Sequence, residues 1–402
     1  MKKLITILFA LFLACAISTF FVGERIKMAF QYAIGQVNSK QIQVKLISYN
    51  KSLLTSKIQV KMTIPIEGQE ALQFLIDSDI NYYPYKAVLS HHITLLDPEM
   101  ANTVASFFQT KEWFHSHQEV DLLGRVSGKI ELAQGSVTHI QESLSSKPVT
   151  LDYQYDLNDQ TGGFNFEWGG FYGDLENLLV DAKVFKVDAH FSLLKGTHLI
   201  DYQYTSQLEQ CALTLADNDL IFKGVLLQGQ SAVSEDRLTV DGSNHLKIES
   251  YQSDNHEFTD NNIRLSLSGL NLAALAMIKS DDGDPQVIDQ ALSELLRYGA
   301  NINLQTLSSI TPWGKIDGQL IMDIQPGSIL TEAIENPLVL IDYINGELNL
   351  NLPTKLLYQA DVGNFLQVGV MNGVFKQEQD QLTLQSSLDR GELTVNGEII
   401  PW

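Results

Sequence analysis

Ile58-Gln59-Val60-Lys61-Met62-Thr63-Ile64 alternates apolar and polar residues without a break, the period of an extended chain whose successive side chains point to opposite faces. Ile42-Gln43-Val44-Lys45-Leu46 does the same just upstream, so the two read as amphipathic strands. Working outward, the same period marks 126–132, 149–155, 164–168, 182–191, 238–240, 246–249, 263–267, 302–304, 320–324, 347–352, 382–384 and 392–399. Many short strands between polar turns predict an antiparallel, β-dominated body. The stretch 156–174, rich in Asn, Asp, Gly and aromatics, reads as hairpin turns around one short strand.

A phrase of glycine followed by alternating residues recurs as Gly128-Lys129-Ile130-Glu131-Leu132, Gly346-Glu347-Leu348-Asn349-Leu350 and Gly391-Glu392-Leu393-Thr394-Val395. The expectation is a glycine turn leading into a strand at each place. The intervals share no period, so neither a propeller nor a regular solenoid follows. Two helices interrupt the strands. In the better written one, Asp284 caps, Pro285 opens, Ile288, Ala291, Leu292 and Leu295 form one stripe, and Gly299 ends it. A shorter one runs from Ser328 to Asn336-Pro337.

The amino terminus has a different grammar. Lys2 and Lys3 precede residues 4–22, which contain no charged side chain and as a helix span roughly 28 Å, about the hydrocarbon thickness of a bilayer. Three fates compete for this segment: an uncleaved signal anchor, a signal peptide cut after Ala14-Cys15-Ala16, or lipidation at Cys15. Ile17, Phe20, Phe21 and Val22 continue the apolar run past that cut and favour the anchor. Ile26, Phe30, Ile34 and Val37 then recur at helical spacing, the mark of a stalk. The expected organisation is therefore a transmembrane anchor at 1–23, a stalk helix at 24–40 and an exported β-rich body at 41–402.

With 402 residues, 44 % of them hydrophobic, the chain has ample material for a packed core. Its net charge of −21 repels phosphate backbones and excludes nucleic acid as a partner. Of its two cysteines Cys15 lies in the apolar segment, which leaves Cys211 alone in the body; between Gln210 and Ala212 it reads as a small buried hydrophobe.

Chemistry is harder to find. His115-Ser116-His117, flanked by Glu112, Glu119 and Asp121, would put two imidazoles on one face of a strand and could ligate zinc if His91 or His92 folded nearby. No local spacing fixes a third ligand, and a solvated surface is the simpler reading. Asp77-Ser78-Asp79 and Asp281-Asp282-Gly283-Asp284 lack the regular ligand spacing of a calcium loop. There is no nucleophile elbow, phosphate-binding loop, dinucleotide fingerprint or His-Glu-x-x-His. No catalytic, cofactor-binding or metal-binding residue is therefore assigned.

Ser48-Tyr49-Asn50-Lys51-Ser52-Leu53-Leu54-Thr55-Ser56-Lys57-Ile58, the amino-terminal anchor and the ending Gly391-Glu392-Leu393-Thr394-Val395-Asn396-Gly397 together resemble the YdgA-like bacterial proteins of unknown function. Where that family tends to show His-Gly-Pro after its early strands, this chain has His92-Ile93-Thr94. The resemblance implies an inner-membrane protein facing the periplasm and carries over no catalytic residue. The expected fold is mainly β with a few helices, a β-rich α+β body with an extended curved antiparallel sheet behind the amino-terminal transmembrane and stalk helix. The expected function is binding in the cell envelope, in a structural or interaction role with a protein or lipid partner, the latter in an apolar groove. The competing reading is a periplasmic hydrolase whose site is assembled from distant residues.

Overall fold

The structure, a computed structural model, describes residues 43–401 apart from 53, 66–70, 140–141, 194–199, 216–217, 237, 254–255, 281–284, 328–340 and 361. The anchor at 1–23, the stalk at 24–40, the helix expected from Ser328 and the acidic cluster Asp281-Asp282-Asp284 lie outside the described residues. The body is mainly β with an extended antiparallel sheet, as its alternation predicts. Its described residues fall into two compact units, one within 43–176 and 184–192, the other within 177–183 and 193–401.

In the first unit β1 (Gln43–Lys51), β2 (Thr55–Ile64), β3 (Leu72–Tyr82), β4 (Lys86–Leu95), β5 (Phe114–Asp121) and β6 (Arg125–Leu132) pair antiparallel in succession. The short β7 (Gly135–His139) and β8 (Glu142–Ser146) form a hairpin to one side. β9 (Val149–Asp156) returns to β6 and is followed in the sheet by β10 (Thr161–Trp168). β11 (Phe171–Leu175) joins β8, β12 (Leu178–Ala182) belongs to the second unit, and β13 (Phe185–Leu193) completes the row beside β10. Alternate residues make the core: Ile58, Val60, Ile80, Tyr82, Ala87, Leu89 and Val120 are all buried. Helix α1 (Pro98–Phe108) connects β4 to β5; Asp97 caps it by accepting from the Met100 N–H at 2.8 Å. At its end Phe108 stacks on Trp113, with ring centroids 5.4 Å apart.

The second unit is built on longer strands. β14 (Ile200–Leu215) pairs with β12 and β15 (Asn218–Val233), and β16 (Thr239–Ser253) and β17 (His256–Asn271) follow. Helices α2 (Leu272–Ser280) and α3 (Pro285–Tyr298) then pack on each other and on β17. β18 (Ala300–Thr311), β19 (Gly314–Ile324) and β20 (Ile344–Pro353) continue the sheet. After a 3-10 turn at Thr354–Tyr358 and helix α4 (Gly363–Met371) come β21 (Lys376–Glu378), β22 (Gln381–Asp389), β23 (Glu392–Val395) and β24 (Glu398–Ile400). One edge of β22 takes β20; the other is shared by β21 and β23. Leu356, Leu357, Leu366, Phe375 and Leu382 form the buried cluster here.

Several elements depart from the expectation, each for a physical reason. No strand was expected over β3, where the alternation Phe74, Ile76, Ile80, Tyr82 is broken by the inward-facing polar Ser78. The stretch 156–174 holds two strands, β10 and β11, rather than one. Of the three glycine phrases only the third begins with a turn, where Gly391 has φ +82°. Gly128 and Gly346 sit inside β6 and β20, and the Tyr153 ring lies over Gly128 so closely that a Cβ there would be 2.5 Å from it. Close approach, not a turn, requires that glycine.

Candidate functional site

His115 and His117 lie in β5, on one face as the extended reading requires. The register sets Glu131 opposite His115, and Ser90 and Lys129 on either side of His117. The result is a groove of about 470 Å³ lined by His91, His92, His115 and His117 together with Asp79 and Glu131. The strands thus bring the side chains of His92, His115 and His117 to one exposed face, while His91 borders it through its backbone. Among the described residues no three His, Cys, Asp or Glu groups are placed to hold a metal ion. The ionic groups pair with one another instead: His117 Nε2 is 3.5 Å from Glu119, Lys86 donates to Glu119 at 2.7 Å, and Lys57 meets Asp79 at 3.1 Å. The Lys86 hydrogen bond holds the Glu119 carboxyl below its ordinary range. In a strand row that is largely exposed, such pairs are worth little and make a solvated face.

His91 belongs to the opposite parity, that of Ala87 and Leu89, so its imidazole enters the core side of the sheet. Its Nδ1 is 2.7 Å from Ser78 Oγ and its Nε2 3.2 Å from Gln118 Oε1. The Gln118 oxygen only accepts, so Nε2 carries the proton and Nδ1 accepts from the serine hydroxyl. Burial pushes the His91 pKa down, against the opposing effect of the Gln118 bond. The chain Ser78–His91–Gln118 has the connectivity of a nucleophile, a base and an orienting amide. Ser78, however, is 2 % exposed, and no acyl group could reach its oxygen. It is a satisfied polar network inside the core. Sequence reading considered His91 only as a neighbour for zinc; the available signal was its even spacing from Ala87 and Leu89.

The second unit presents a different kind of surface. Leu227, Leu246, Ile263 and Leu307 form one register row across β15–β18, and Leu265, Leu304, Leu320 and Leu348 form the next across β17–β20. None of these eight is fully buried, and Ile263 is 39 % exposed. The first row runs on through Gly318 to Leu350 and Leu384, which pack against the buried cluster under α4. The other face of the same strands carries exposed Gln228, Lys247, Arg264, Gln319 and Asn349. One face is therefore solvated and the other a continuous aliphatic stripe, closed at the β19–β22 end and half open over β15–β18. Sequence reading saw this stripe only as separate short strands, because its continuity is a property of the register.

Cys211 lies between Ala182 and Phe222 on neighbouring strands, half buried, and burial followed by the nearby Asp181 charge pushes its thiol pKa up. The thiol stays protonated, and it is half exposed rather than the fully buried group its sequence context suggests. Helix α3 begins at Pro285, buries Ala291 completely and gives way to Gly299 at φ +76°, where a left-handed backbone suits glycine. The side chains of Ile288 and Leu292 lie outside the described residues. Helix α4 was not expected: Gly363, Gly369, Val368 and Val370 have poor helix propensity, and packing overrides it.

No curated protein and no solved structure matches the chain at a significant level. The model of a family described as a bacterial protein of unknown function, DUF945, matches residues 1–402, and an aliphatic-striped antiparallel sheet of this kind is thus the body of a chain that belongs to DUF945.

Proposed function

We propose that this chain is a YdgA-like protein of the bacterial inner membrane, held by residues 1–23 with its body in the periplasm, and that it acts by binding lipid acyl chains along the apolar face of its second unit. The observation that carries the reading is the uninterrupted aliphatic stripe on β15–β20, whose side chains are left half open although burial of each would stabilise the fold by about 1–2 kcal/mol. At the usual strand spacing, β15 to β20 span about 24 Å, long enough to lay an acyl chain across them. Each methylene so buried contributes about 0.8 kcal/mol. Ser78 and His91, the hydroxyl–imidazole pair that a hydrolase could use, face the core.

The test is to purify the full chain from membranes in mild detergent and measure bound lipid by mass spectrometry, for the natural protein and for Leu246→Glu. The expected result is stoichiometric lipid on the natural protein and its loss in the variant with little change in thermal midpoint. Equal lipid on both proteins, or none on the natural one, would overturn the proposal.

A further inference from the structure

Helix α4 buries only one side. Leu366 is 4 % exposed and packs with Leu356, Leu357 and Phe375, while a ridge at a spacing of three faces outward: Val362 is 42 % exposed, Phe365 76 %, Val368 55 % and Met371 84 %. Tyr358, on the turn before the helix, is 83 % exposed. No charged residue lies between Asp361 and Lys376, in a chain of net charge −21. Large aromatic and thioether side chains held this far out, contiguous on one helix ridge, mark a contact surface.

Three observations decide what covers it. The ridge offers a partner neither charge nor a conspicuous hydrogen-bonding pattern, so it suits a fluid apolar phase better than a shaped protein groove. A second copy would bring another −21 toward the same patch, and like charges of that size oppose self-association. The helix covers the closed end of the aliphatic stripe, since Leu350 and Leu384 of that stripe pack against the cluster beneath it. We infer that the α4 ridge inserts Tyr358, Phe365, Val368 and Met371 among the acyl chains of a zwitterionic bilayer, setting the closed end of the stripe at the lipid surface. This rests on the lipid-binding reading above and names the element that seats the stripe against the bilayer. A neutral bilayer is specified because the acidic chain is repelled by anionic headgroups.

The experiment uses the full chain reconstituted in phosphatidylcholine vesicles, with and without bromine on the acyl chains, and two single variants, Phe365→Trp on the ridge and Gln228→Trp on the solvated face. Both positions are exposed, so both variants should keep the natural thermal midpoint, which is measured alongside. The tryptophan added at 365 should lose at least half of its emission in brominated vesicles, and that added at 228 should be unaffected. Protein that floats with the vesicles while position 365 is unquenched, or is quenched no more than 228, overturns the bilayer contact and leaves anchoring intact. Blue-shifted, unquenched emission at 365 together with a doubled mass assigns the ridge to a second copy and also overturns it. Protein that fails to float overturns the anchoring reading and this one with it.

Discussion

At the scale of single residues, His91 shows how a polar side chain is accommodated in a sheet core. Both ring nitrogens are engaged, one by Ser78 and one by Gln118, and burial depresses the pKa. Below the ordinary histidine value of about 6.5 the unfolded chain takes up a proton that folded His91 resists. The contribution of this group is therefore fully present above that pH and is lost as pH falls toward the depressed folded value. The thermal midpoint should drop between pH 7 and pH 5 in the natural protein, and less steeply in His91→Gln; parallel slopes would show that His91 is not the group responsible. The Glu119 and Asp121 carboxyls, which are also depressed, act in a lower window, below their ordinary values near 4. Ser78→Ala would leave Nδ1 without its donor and should cost about 1–3 kcal/mol by chemical denaturation, whereas an exposed serine would cost almost nothing.

At the scale of elements, α3 is anchored by Ala291, which is wholly inaccessible, while Gln290 and Arg297 on its other side are exposed. Ala291→Asp places an unpaired charge between α3 and its packing partners and should destabilise the second unit by more than about 3 kcal/mol. A two-step melt with only the later-numbered unit's transition lowered is the expected trace; an unchanged melt would mean that α3 moves away without cost. The strands β15–β18 carry the functional argument because their register aligns side chains far apart in sequence, such as Leu227 and Leu307, into one row. A bulge in β18 at Gln305 lets the parity survive between β17 and β18.

At the scale of the whole molecule, the amino-terminal run and the charge balance make a prediction that concerns residues 1–23. Alkaline extraction should leave the protein in the membrane pellet, and a reporter fused after Trp402 should be active only in the exported compartment. A soluble form beginning at Ile17 would establish cleavage after Ala16 instead, and cytoplasmic reporter activity would reverse the orientation. Among the described residues no helix is long and apolar enough to cross a membrane, so this prediction depends on the 4–22 run itself.

Period and composition, which are local, were legible without the structure. The alternation at 58–64, the helix opening at Pro285 and closing before Gly299, and the β-dominated character of the body follow from residues within a few positions of one another. What sequence could not show depends on pairings between distant strands. His115 and His117 share a face by local alternation, but whether His92 stands beside them is set by the β4–β5 register, and the β3–β4 register places the inward-facing His91 against Ser78. The aliphatic stripe is likewise a sum over distant strands, with partners as far apart as Ile263 and Leu307 and each strand supplying only one or two of its members. Helix α4 was hidden because two glycines and two valines argue against a helix locally, while Leu366 and Phe375, packed over β22, decide for it. Local period sets which face of an element is apolar; only the assembled register decides what that face meets, because contact free energy is gained between residues the chain itself keeps far apart.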